Sequence, residues 1–223
     1  MWEAFLNLPL WGMSGELLKA LWETLYMVTA STALSLFFGF LLAIVMILTG
    51  KGGLAPHRGI YFILDLLVNL TRSFPFIILL IVIIPFTRIL AGTSLGSTAS
   101  IVPLTLAATP MVARVLEGSL LEVDKGMIEA AQSFGASKCQ IIRQVLVKEA
   151  LPAIILDIAV IAITILGYSA MAGAVSGGGL GDLAIKYGYN RFQTDVMIAS
   201  VIILIVIVQI IQTTGNILYK KLR

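Results

Sequence analysis

Few side chains in this sequence have the types and spacing that chemistry requires. The chain of 223 residues contains one histidine, His57, and one cysteine, Cys139. A single residue of each type supplies neither a cysteine–histidine metal site nor an intrachain disulfide. The sequence also lacks a nucleotide-binding motif and a nucleophile placed beside a base. We therefore expect no catalytic residue, no metal and no cofactor in this chain.

One glycine-rich run, residues 177–181, has a composition suited to holding a phosphate. It lacks the Gly-Lys-Ser/Thr ending of a P-loop, and no predicted strand precedes it. Residues 176–190 are instead predicted to be a flexible connection between two apolar segments.

Arg114, Glu117 and Asp157 are charged residues inside otherwise apolar stretches. Arg114 and Glu117 are three residues apart and are predicted to pair near one end of a helix. Asp157 follows Pro152 by about one and a half helical turns. Two interpretations of Asp157 stay open: a functional acid, or a residue near the membrane interface that pairs with the backbone or a cation.

The longest polar segment covers residues 124–152 and is predicted to form two short helices exposed to water. Asp124 is suited to cap the first helix, over about residues 125–135, and Gly135 ends it in a left-handed conformation. Ser137 and Gln140 then have the spacing of a capping box, which starts the second helix.

The composition indicates that most of the remaining chain lies in lipid. Hydrophobic residues make up 59% and charged residues 12%, whereas a soluble domain carries roughly 25% charged residues. The formal charge of +3 is too small to favour nucleic acid. We predict an all-α integral membrane protein, one domain over residues 1–223, with five transmembrane helices at about 17–49, 73–91, 97–121, 150–174 and 196–218.

The second apolar block, residues 60–91, is too long for one straight span, because it would measure about 48 Å. We therefore predict a surface helix over residues 60–71 and a spanning part after it. Arg72 then snorkels to the interface, Pro75 lies at the break, and Pro85 kinks the spanning part.

Basic residues predict the orientation. One side of this topology holds ten lysines and arginines and the other holds four, with Arg72 uncounted at the kink. The richer side is expected to be cytoplasmic, with the N-terminus outside and the C-terminus inside. No cleaved signal peptide is expected. The ten are Lys51, Arg58, Arg114, Lys125, Lys138, Arg143, Lys148, Lys220, Lys221 and Arg223; the four are Lys19, Arg88, Lys186 and Arg191.

Glu129-Ala130-Ala131, followed after three residues by Gly135, resembles the EAA motif of bacterial ABC importer permeases. In that family the motif forms a cytoplasmic coupling helix, which docks in a groove of the ATPase subunit. A surface helix with a glycine cap has the same residues, but a position between apolar spans favours the coupling role. The contact residues that the resemblance implies are Glu129, Ala130, Ala131, Phe134, Gly135 and Ser137.

The second half of the motif differs from the family pattern. Lys148 stands where the family has a proline, and Leu151-Pro152 follows three residues later. The resemblance therefore leaves the bend after the coupling helix unspecified.

Several other stretches are similar to methionine permeases: Arg72–Leu80, Pro85–Arg88, Ala91–Ser94, Ile101–Thr105 and Gly167–Leu180. This resemblance implies a bacterial inner-membrane importer for methionine, in both enantiomers. Its implied partners are a second copy of the chain, two cytoplasmic ATPase subunits that hold ATP and Mg²⁺, an extracytoplasmic methionine-binding protein, and lipid. Ser169 and Met171 are predicted to line the path.

Other interpretations of the sequence stay open. The substrate is alternatively another amino acid or small solute, and the partner permease is alternatively a paralogue. A secondary transporter usually has ionisable groups in corresponding halves of an internal repeat, and we find no such repeat. A structural membrane scaffold would not need the EAA helix.

Overall fold

The computed structural model describes residues 12–222, and every regular element in that range is helical. The helices are α1 (Ser14–Thr49), α2 (Arg58–Ser73), α3 (Phe76–Val82), α4 (Ile84–Ala91), α5 (Ser97–Leu121), α6 (Lys125–Ser133), α7 (Lys138–Val175), α8 (Gly179–Leu183) and α9 (Thr194–Leu222). Helix α7 contains a π-helical turn, Ile141–Leu146, and ends in a 3₁₀ turn, Gly173–Val175. Helix α8 continues into a second π-helical turn, Ala184–Tyr189.

The chain divides into two compact units. The first contains residues through Ala33, Pro75–Leu106 and Ala162–Gln212, and the second contains Leu34–Phe74, Ala107–Ile161 and the residues from Thr213 onward. Helices α1, α5, α7 and α9 each contribute residues to both units.

Four helices, α1, α5, α7 and α9, are long and apolar enough to cross a membrane, and α2 with α3 forms a fifth candidate as a bent pair. The prediction of an all-α membrane protein is therefore confirmed. Large apolar side chains such as Trp22, Phe37 and Ile205 are exposed on these helices. Such exposure is expected where lipid, and not water, surrounds the helix.

The helix of the second apolar block is broken twice, close to Pro75 and Pro85, where the sequence predicted a break and a kink. Phe74 has an extended backbone before Pro75, which separates α2 from α3, because the residue before a proline avoids the helical region. Pro85 lies in the first turn of α4, directly after the break at Ile83. Residues 73–91 are therefore not one helix, and the bent candidate span joins α2 to α3.

Helix α7 differs from the prediction of two short helices followed by a span at 150–174. It is continuous from Lys138 to Val175, and Pro152 lies inside it. With lysine at position 148, the backbone N–H that a proline would lack is present, so nothing at that position ends the helix.

The glycine-rich stretch is folded, so the prediction of a flexible connection was wrong. Gly179, Leu180 and Gly181 are buried within α8. The hydroxyl of Ser100 donates to the carbonyl of Gly177 at 3.0 Å. A Cβ at Gly177 would lie 2.6 Å from the carbonyl oxygen of Ala172. The glycines thus allow close packing of backbone on backbone.

Candidate functional site

Helix α6 begins at a side-chain cap, as the sequence predicted. The carboxylate of Asp124 accepts a hydrogen bond from the backbone N–H of Gly126 at 2.7 Å. This bond satisfies one of the amide groups that the first turn of a helix leaves without a partner. Lys125–Ser133 is accordingly helical, and none of its residues is buried.

A Schellman motif ends α6 at the predicted glycine. Gly135 has φ +76°, and its N–H donates to the carbonyl of Gln132 at 2.9 Å. The N–H of Ala136 donates to the carbonyl of Ala131 at 3.0 Å. These two bonds satisfy the last carbonyls of the helix, and they require a left-handed residue between them, which glycine adopts without strain.

The predicted capping box starts α7 directly after this turn. The N–H of Ser137 donates to the side-chain oxygen of Gln140 at 2.8 Å, and the N–H of Gln140 donates back to the Ser137 hydroxyl at 3.3 Å. Only Phe134–Ser137 separates α6 from α7, and backbone or capping bonds hold each of these residues.

The predicted coupling residues are exposed except for Ala131, which is half-buried. Glu129 and Ala130 are exposed on α6, and Phe134 is 91% exposed at its end. Beside it lies a cleft of about 310 Å³, lined by Ala131, Phe134, Gly135, Ala136, Gln140, Gln144 and Val145.

The predicted pair of Arg114 and Glu117 belongs to a larger polar network in the second unit. Arg114 donates to Glu117 at 2.8 Å and also bonds to Asp65 and, at 3.3 Å, to Asn69. The Tyr61 hydroxyl donates to Glu117, which is only 3% exposed. Sequence reasoning missed the three partners on α2, although Tyr61, Asp65 and Asn69 follow a four-residue spacing on one helix face.

Asp157 has a partner of a kind that the sequence did not suggest. Its carboxylate accepts a hydrogen bond from the hydroxyl of Ser119 on α5. One interpretation of the sequence paired Asp157 with the backbone or with a cation. That interpretation was wrong, because the partner is a serine hydroxyl. The hydroxyl supplies a donor without a compensating charge.

The predicted path residues lie on α7, and the predicted kink residues lie at the break between α2 and α3. Ser169 is 2% exposed, and its hydroxyl donates to the carbonyl of Leu166 at 2.7 Å. Met171 is 51% exposed. Arg72 lies exposed in the last turn of α2, and Pro75 precedes the first turn of α3.

A contact that the sequence did not indicate holds α8 to α1 in the first unit. The carboxylate of Glu23 accepts from the N–H of Gly179 at 2.9 Å, and the hydroxyl of Thr24 accepts from the N–H of Leu180 at 2.8 Å. Two adjacent side chains of α1 thus cap the first turn of a helix more than 150 residues further along.

Three known proteins are similar to this chain over most of its length. A solved structure described as inward-facing conformations of the MetNI methionine ABC transporter has a TM-score of 0.93 and 40% identity, covering 95% of this chain and 98% of that chain. The probable D-methionine transport system permease protein MetI of Vibrio cholerae is 48% identical over 208 residues, which are 93% of this chain and 92% of the relative. The methionine import system permease protein MetP of Bacillus subtilis is 41% identical over 203 residues, 91% of each.

The family model described as "Binding-protein-dependent transport system inner membrane component" matches residues 35–223. This match covers most of the chain, including α6 and both flanking helices α5 and α7. The chain belongs to the family of inner-membrane components of binding-protein-dependent transport systems.

Proposed function

We propose that this chain is the membrane-spanning permease subunit of an ATP-driven importer of methionine. The observation that carries the proposal is the likeness, over more than nine-tenths of each chain, to permeases named for methionine transport. The solved relative is likewise described as a methionine ABC transporter. ATP hydrolysis, with its Mg²⁺, belongs to a separate ATPase subunit in this proposal.

Helix α6 is the contact that receives the ATPase subunit. Its support is physical: a short, fully capped helix with no buried residue, ending in an exposed aromatic ring beside a cleft. Glu129 carries a negative charge toward a cation of the partner, and Phe134 supplies the apolar contact. The small residues Ala130 and Ala131 allow close approach, while Gly135 and Ser137 fix the turn that holds the helix in place.

The orientation in the membrane follows from the basic residues. With α6 and the C-terminus in the cytoplasm, ten lysines and arginines lie on the cytoplasmic side and four lie outside. The bacterial inner membrane is then crossed with the N-terminus outside. Arg72 and Pro75 lie at the break where α2 meets the membrane boundary.

The assembly is a homodimer with two ATPase subunits and one extracytoplasmic binding protein. Two ATPase subunits need two coupling helices, and this chain supplies one. Two copies of this chain, related by a twofold axis, supply the two coupling helices. The path lies between protomers, and exposed Met171 is a better lining candidate than Ser169, whose hydroxyl is already bonded to the backbone.

The test is uptake of labelled methionine into vesicles that contain the permease, the ATPase subunit and the binding protein. Uptake that requires ATP, both subunits and the binding protein supports the proposal. Uptake driven by an ion gradient without ATP would instead identify a secondary transporter. The substrate is identified by competition. Unlabelled D- and L-methionine should each reduce uptake of the label, whereas other amino acids, added as controls, should not.

A further inference from the structure

One cavity in the first unit is not used by the coupling surface or the proposed path. It has a volume of about 350 Å³ and lies between the first turns of α1 and the segment formed by α8 and the π-helical turn after it. Its charged lining residues are Glu16, Lys19, Glu23, Asp182 and Lys186.

The charges of this cavity do not balance. Three carboxylates face two ammonium groups, so one negative charge remains in excess. Lys19 is held loosely, because its Nζ lies 3.9 Å from Glu23 and its side chain is 78% exposed. The other oxygen of Glu23 is bound to the N–H of Gly179 at 2.9 Å.

Asp182 and Glu16 are the carboxylates of this lining that lack a bonded partner. Within the described part of the chain, neither side chain makes a hydrogen bond or an ion pair. Burial raises the pKa of Asp182, and nearby Glu23 raises it further, while Lys186 lowers it. A partly buried carboxylate in this position gains most from an added cation, since the cation offsets both the burial and the repulsion from Glu23.

We propose that this cavity receives a lysine or arginine side chain of the extracytoplasmic binding protein when that protein docks. The inference rests on the proposed function and its orientation, which put the first turns of α1 and α8 outside. The lining is more polar than apolar and Leu183 is its one large aliphatic side chain, so it suits a charged group better than the side chain of a free hydrophobic amino acid. Matched charges at a rim orient two proteins. Because Glu23 also caps α8, the docked cation lies beside a bond that joins α1 to α8.

The experiment measures the affinity of the methionine-loaded binding protein for the permease–ATPase complex in lipid nanodiscs. Asp182→Asn and Glu16→Gln are each expected to weaken binding roughly three- to tenfold, and to flatten its dependence on ionic strength. Asp195→Asn is the matched control, because it removes the same charge near the start of α9, outside this cavity. Asp182→Lys is expected to abolish docking, and a lysine-to-glutamate change on the binding protein is expected to restore it.

Each result bears on the inference separately from the proposed function. Wild-type uptake with equal affinities for Asp182→Asn, Glu16→Gln and Asp195→Asn would overturn the inference and leave the proposed function standing. Basal ATPase activity, measured in every variant, identifies any variant that fails to fold. Saturable binding of labelled methionine to the complex without binding protein, if lost in Asp182→Asn, would assign the cavity to the free amino acid and likewise overturn the inference.

Discussion

Arg114 donates a hydrogen bond from Nη1 to the buried carboxylate of Glu117 at 2.8 Å. The other terminal nitrogen of the same guanidinium, Nη2, forms an ion pair with Asp65. The arginine therefore joins α2 to α5 within the second unit. A charge that is buried beside one partner becomes costly when that partner is removed.

We therefore expect Arg114→Gln to destabilise the permease by about 3 kcal/mol, because Glu117 would keep its charge without a cation. Glu117→Gln is expected to cost less, since the amide still bonds to Tyr61 and the burial of a charge is relieved. Thermal unfolding in detergent measures both. Lys51→Gln, at an exposed turn, is the control, and an Arg114→Gln variant as stable as this control would contradict the prediction.

Gly135→Val is expected to abolish uptake while the chain still inserts in the membrane. Valine in the left-handed conformation costs roughly 1–2 kcal/mol, which tilts α6 relative to its partner. Gly92→Val is a matched control, because Gly92 also has positive φ and open space around its Cβ position. Glu129→Ala should be milder, because the helix survives.

The measurements are copurification of the ATPase subunit and ATPase stimulation by the loaded binding protein. If Gly135→Val keeps both at the level of Gly92→Val, α6 is not the coupling helix.

Phe134→Ala is expected to leave the fold unchanged and to weaken ATPase binding about tenfold or more, because an exposed aromatic that becomes buried in a partner is a typical hot spot. Phe192→Ala removes a ring that is 88% exposed at a position proposed to lie outside the cell. The measurement is the amount of ATPase subunit that each variant retains in a pull-down, which should fall for Phe134→Ala and not for Phe192→Ala. Equal loss, or no loss, in the two would remove Phe134 from the contact.

Cys139 tests the orientation directly, because it is an exposed thiol in the first turn of α7. A membrane-impermeant maleimide should label it in inside-out vesicles and not in intact spheroplasts. Leu95→Cys, made with Cys139→Ser, should show the opposite pattern. Labelling of Cys139 from outside would reverse the whole topology.

Asp182 predicts a pH dependence of stability. Its pKa is raised in the folded chain, so the folded state binds a proton where the unfolded state has already lost it. The contribution of Asp182 to stability is therefore largest below its ordinary pKa and is lost as pH rises through the raised value. The melting temperature of wild type minus that of Asp182→Asn should fall over this interval and then stay level; a difference that rises with pH would contradict the assignment.

The parts of the fold that sequence reasoning predicted are those with local causes. Asp124, Gly135 and the pair Ser137–Gln140 act within a few residues, and each makes the predicted bond or backbone conformation. The breaks near Pro75 and Pro85 are local for the same reason. Hydrophobic length likewise predicted α5 at its observed bounds.

The parts that were missed depend on contacts distant in sequence. Residues 176–190 looked flexible because glycines usually indicate freedom, yet Glu23 and Thr24 bond to this segment across more than 150 residues. The network around Arg114 depends on α2 packing beside α5, which no local pattern specifies. The length of α7 was missed because Pro152 was taken to mark a boundary, whereas the helix accommodates it.

The uninterrupted course of α7 has a mechanical consequence for the coupling role proposed for α6, because it determines how far a displacement of α6 is transmitted along the chain. A flexible linker would absorb such a displacement, but the four residues between α6 and α7 are fixed by backbone and capping bonds. A helix resists shortening along its axis. If α6 receives the ATPase subunit as proposed, its displacement would reach α7 through these fixed residues. The π-helical turn Ile141–Leu146, with its wider hydrogen-bond spacing, would then be the place where that displacement is either transmitted or absorbed.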